Sequence, residues 1–112
     1  MDNWKVNIFN SIRDISDIEI QKLTWLGKHP TYVSSFSETI NTLYDDYDFE
    51  EYLVYYGENE NNEDLYSKMV VFEEKLSKYI QTEKTDLEIL NDFEWENITQ
   101  LAYEVIKLWI VG

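Results

Sequence analysis

FEEYLVYYG, residues 49–57, decides the fold class of this 112-residue chain. Its aromatic and β-branched content suits a strand. A short helix fits equally well, because periodicity cannot separate the two over so few residues. As a strand it makes a helical chain with a strand-like insert near residues 50–57; as a helix it makes the chain all-α.

Helical signals dominate on both sides of it. Upstream, Trp4, Ile8 and Ile12 recur every four residues with Phe9 beside them, which predicts an amphipathic helix over about 3–14. Ser16 and Glu19 are spaced as a capping box, and Ile15 and Ile20 as its hydrophobic staple, so a second helix starts there and runs to about Leu26. Gly27 suits its C-terminal cap, and Pro30 blocks continuation. Ser35 and Glu38 repeat the box ahead of Phe36, Ile40, Leu43 and Tyr44, which share one helical face that fades near Asp46.

Downstream, GENENN (57–62) reads as a solvated turn. Leu65, Met69, Phe72, Leu76 and Tyr79 predict a long helix over about 63–81. Thr85 with Glu88 is a third box, opening a short helix through Leu90. Asp92 can cap the last helix, whose buried stripe is Trp95, Ile98, Leu101, Ala102, Val105 and Trp109. No repeat or linker interrupts this pattern. The reading is one compact all-α domain of five to six helices, with the insert near residues 50–57 left open.

Composition narrows the function. A hydrophobic content of 44%, with 16% aromatic, supports a packed core and excludes wholesale disorder. A net charge of −14, with only nine lysines and arginines, argues against nucleic acid and anionic membranes as ligands. The absence of cysteine excludes disulfides, thiolate metal sites and cysteine catalysis. The N-terminus, MDNWKVNIFN, lacks a basic region followed by an apolar one, and no apolar run is long enough to span a bilayer. A soluble cytoplasmic protein is expected.

The deciding stretch sits inside a larger anomaly. Residues 45–64, DDYDFEEYLVYYGENENNED, hold nine carboxylates, four tyrosines and no lysine or arginine. Nothing basic but His29 lies between Lys28 and Lys68, a gap that contains seven of the nine tyrosines. Without lysines at i±4, these carboxylates repel one another and destabilise their own segment. A solvated solubility face has no use for Tyr47, Tyr52, Tyr55 and Tyr56 among its acids. Tyrosine beside carboxylate suits a surface for a cationic partner: the ring supplies area, the hydroxyl a hydrogen bond and the acids long-range attraction.

Other chemistry fails on spacing. Asp46, Asp48 and Glu50 alternate like the opening of a calcium-binding EF-hand loop. The glycine required at its sixth position is Glu51, and the glutamate required at its twelfth is Gly57. Acids are too plentiful for any two to stand out as a hydrolytic pair. His29, in LGKHP, has no nucleophile motif to activate and no second histidine to share a metal, and reads as a loop residue or helix-end cation. No cofactor, metal or enzymatic activity is expected.

DIEIQKLTWLGKHP (17–30) followed by FSETINTLYDD (36–46) resembles a group of small, acidic, helical bacterial immunity proteins. These accompany contact-dependent growth inhibition and other polymorphic toxin systems. TDLEILNDFEWENITQLAYEVI (85–106) resembles their C-terminal part, where an aromatic pair like Phe93 and Trp95 opens the last helix. The resemblance covers most of the chain, with Asp45 and Asp46 as its one functional element; residues 47–64 fall outside it.

The resemblance implies a stoichiometric inhibitor of a cognate toxin's C-terminal domain, a nuclease in many such systems, whose basic active site an acidic surface would cover. The partner-binding residues expected are Asp45, Asp46, Tyr47, Asp48, Glu50, Glu51, Tyr52, Tyr55, Tyr56, Glu58 and Glu60. The alternative is an acidic adaptor or DNA mimic bound to a basic host protein. In either case the chain is a monomer or weak dimer, and an exposed LVYYG strand would offer an edge for self-association.

Overall fold

The computed structural model describes residues 2–111, and all the regular structure among them is helical. Seven α-helices follow in order: α1 (Asp2–Ile15), α2 (Ile18–Trp25), α3 (Phe36–Asn41), α4 (Phe49–Asn59), α5 (Glu63–Ile80), α6 (Asp86–Leu90) and α7 (Phe93–Val111). A π-helical turn, Thr42–Asp46, continues α3. The number exceeds the five to six expected because residues 49–57, left open between strand and helix, belong to a full helix.

Helix α4 resolves the ambiguity of FEEYLVYYG through packing. Phe49, Tyr52, Leu53 and Tyr56 fall at i, i+3, i+4 and i+7, and all four are buried. A strand would have split them between two faces. The helix also runs on through Gly57, Glu58 and Asn59, so the solvated turn shrinks to residues 60–62. At Gly57 a Cβ would lie 3.0 Å from the outer end of the Tyr66 ring, which packs closely over this turn of α4 and would have to shift to admit one.

Helices α1 and α5 both pack along α7 and build the core. The pairs Lys68–Glu104 and Tyr79–Asp92 fix α5 antiparallel to α7. Ile8, Ile12 and Ile15 of α1, Met69, Phe72 and Leu76 of α5, and Trp95, Ala102 and Val105 of α7 are fully buried. Trp25 is buried beside Trp95, whereas Trp4 and Trp109 are only half-buried at the far end. Burial of this kind is the main stabilising term of such a fold.

Caps set the boundaries. At α2 the N-cap is Asp17, whose side chain accepts from the Ile20 amide at 3.1 Å. The Ser16 hydroxyl turns back to the Arg13 carbonyl, and Ile20 is exposed, so neither the box nor the staple expected at Ser16 forms. Helix α2 ends with Gly27 at φ +72° and a Lys28 amide bond to the Leu23 carbonyl, the six-to-one bond of a Schellman motif. Ser35 caps α3, and at Thr85 both halves of the capping box are present.

One buried polar network crosses the core. The Gln21 amide nitrogen donates to the Asp14 and Ile15 carbonyls at the end of α1, at 3.0 and 2.9 Å. Its oxygen accepts from Trp95 Nε1 at 2.9 Å. One side chain therefore satisfies the end of α1 and the indole of α7. No described helix is long and apolar enough to cross a membrane.

Candidate functional site

The acidic segment covers the outside of α4 and its two junctions. All nine carboxylates of residues 45–64 are exposed. The ion pairs among the described residues are Glu19–Lys22, Lys68–Glu104 and Lys84–Asp92, so none of the nine is engaged.

Local structure accounts for only four of them. Glu50 and Glu51 lie in the first turn of α4, and Glu63 and Asp64 in that of α5, where the helix dipole favours negative charge. Asp45 and Asp46 end the π turn, and Glu58 and Glu60 end α4. These are the negative ends of helices, and neither last turn contains a basic residue. Asp48 occupies the N-cap of α4 in the left-handed region, at φ 51° and ψ 58°, without a side-chain cap bond. Such a residue is strained by roughly 1 kcal/mol. Four carboxylates thus stand where helix dipoles disfavour them, and Asp48 is placed on a strained backbone although the α4 dipole favours its charge.

The segment is nevertheless held firmly. Trp4 Nε1 donates to the Tyr47 carbonyl at 2.7 Å, pinning the bend before Asp48. The same indole meets Tyr52 edge-on and lies against Tyr55, and Trp109 stacks on Tyr52. Tyr56 stacks in turn on Tyr66. Each aromatic pair of this geometry is worth about 0.5–1.5 kcal/mol beyond burial.

The proposed binding residues divide accordingly. Asp45, Asp46, Asp48, Glu50, Glu51, Glu58 and Glu60 are each exposed, as is Tyr55, and Tyr47 is half-buried. Tyr52 and Tyr56 do not belong to that surface. They are 2% and 4% exposed, because they lie on the inner face of α4 with Phe49. Only their hydroxyl tips reach water, since no buried polar side-chain atom among the described residues lacks a partner. Burial first, then neighbouring tyrosines and Glu60, pushes the Tyr52 hydroxyl up; burial and Glu60 do the same at Tyr56. Both therefore present O–H donors at the rim. The inward spacing of Phe49, Tyr52 and Tyr56 was the available signal, once the segment is read as a helix.

His29 lies in the loop after α2 and acts there as a turn-former. Its Nδ1 accepts from the Thr31 and Tyr32 amides, at 3.2 and 3.0 Å, which closes the turn after α2. The π turn was also illegible from sequence, though such turns recur at functional sites. Among the described residues, no three acidic or imidazole side chains are grouped to hold a metal ion. A cleft of about 190 Å³ lies away from this face, between α3 and the α5–α6 bend, lined by Phe36, Ile40, Tyr79 and Ile89. Comparison with protein-family models, curated proteins and solved structures gave no match.

Proposed function

We propose that the chain is an immunity protein. It binds the C-terminal domain of a cognate bacterial toxin, most simply a nuclease, and covers its basic active site with the face formed by residues 45–60. The observation that carries this reading is the set of four exposed carboxylates, Asp45, Asp46, Glu58 and Glu60, held without ion-pair partners where helix dipoles oppose them, with Asp48 exposed and unpaired between them. A basic partner reverses the sign of that cost. The acids would steer encounter, and Tyr55 and Tyr47 would supply short-range contacts. Inhibition is steric and electrostatic, and the inhibitor performs no chemistry.

The test is co-expression with the toxin domain encoded beside its gene. A one-to-one complex that survives purification and silences the toxin supports the reading. If the toxin stays active and the two proteins elute apart, the chain is not its immunity protein.

A further inference from the structure

The outer face of α7 carries a second, unrelated pattern. Phe93, Glu96, Gln100, Tyr103, Lys107 and Ile110 are all exposed and recur at alternating steps of three and four. That is the spacing of a coiled-coil seam, here about 26 Å long. Phe93 and Ile110, at its two ends, are 73% and 71% exposed, the highest values among the large hydrophobic residues described. Tyr103, near the middle, is 49% exposed. Glu96 and Lys107 have no ion-pair partner within the described residues. The face is a ridge, with clefts on both sides: one against Lys75 of α5, the other against Ser16 and Ile18.

The seam is complementary to itself when reversed. In an antiparallel pair centred between residues 101 and 102, Phe93 meets Ile110 of the partner subunit, and Glu96 meets Lys107 of the partner subunit. Gln100 meets Tyr103 of the partner subunit, and each contact recurs by symmetry. A parallel pair would instead oppose Lys107 to Lys107 and Glu96 to Glu96. The match in charge and apolarity along one two-fold seam is what an isologous interface requires.

We propose that two copies of this chain associate through α7 in that antiparallel register. The seam is narrow and each chain carries −14, so the dimer is weak, at the low end of specific interfaces. It uses neither the strand edge considered for LVYYG, which is helical, nor the acidic face, and it stands or falls independently of the toxin reading.

Sedimentation equilibrium of the wild type, E96K, K107E and the double swap E96K/K107E tests the register, at physiological salt and up to several hundred micromolar. The wild type dimerises with concentration. Each single change converts two attractions into two repulsions and weakens the dimer by about tenfold. The double swap restores it. E96K is the discriminating variant: it lowers the net negative charge, so association governed by overall charge would strengthen, whereas this register weakens. A wild type that stays monomeric, a single change without loss, or a double swap without recovery overturns the proposal.

Discussion

Asp48 and Asp92 both stand at helix N-caps, and the molecule treats them in opposite ways. Asp92, at the α6–α7 elbow, accepts from the Glu94 amide with one oxygen, at 3.0 Å. Its other oxygen accepts from the Tyr79 hydroxyl at 2.7 Å and from the Lys84 ammonium. Lys84 first, then Tyr79 and the Glu94 amide, hold its carboxyl down at about 2. Asp48, at the entry to α4, makes no cap bond and sits in the left-handed region. Around Asp92 the polar groups are consumed by the fold; the Asp48 side chain makes no cap bond. Nine lysines and arginines cannot pair twenty-three carboxylates, so most stay bare; what sets this segment apart is that Asp45, Asp46, Glu58 and Glu60 lie at helix C-terminal ends.

The largest effects should fall on the satisfied side. Helix α7 is tied to the rest of the core by Gln21, so Gln21→Leu strands the Trp95 indole and frees two carbonyls. A loss of about 3 kcal/mol in urea unfolding is expected. Glu51→Ala on α4 should stay within about 0.5 kcal/mol, as for an ordinary surface site. Equal losses would break the comparison.

Next comes Asp92→Ala, at about 2 kcal/mol for the cap and the tyrosine bond together. Its pH dependence has a definite sign. The folded pKa is depressed, so the contribution is complete above the ordinary aspartate value of 3.8 and is lost as pH falls through about 2. The gap in stability between wild type and Asp92→Asn should therefore narrow between those values and stay constant above them.

Changes on the unsatisfied side should stabilise. Asp48→Gly relieves the left-handed backbone and should add about 0.5 kcal/mol. Asp45→Asn and Asp46→Asn should each add about 0.3 kcal/mol by removing charge from a helix C-terminus. Destabilisation by any of these would mean that the acidic face serves the fold.

Much of this architecture was legible because it rests on local periodicity. The faces of α1, α5 and α7 follow from their apolar spacing, and Thr85 with Glu88 from box chemistry alone. Ser16 misled because Asp17 is an equally good cap one residue on, and only the path of the chain out of α1 selects between them. Gln21 was invisible, since its partner Trp95 is distant in sequence and no local pattern marks a polar residue for burial. Tyr52 and Tyr56 were misplaced because the acids beside them dominated the reading of a segment whose inward face is apolar. The carboxylates of the site were legible from composition; that several oppose helix dipoles required the ends of α3 and α4.

The central claim concerns what those carboxylates are for. Under the proposed function, the direct measurement is the affinity of the toxin domain encoded beside its gene for wild type and for the variant D45N/D46N/D48N/E50Q/E51Q, across a salt series. Stability should be unchanged or higher in the variant, affinity at low salt about a hundredfold weaker, and the dependence on salt much flatter. Unchanged affinity with an unchanged salt dependence would contradict the account and place the interface elsewhere on the molecule.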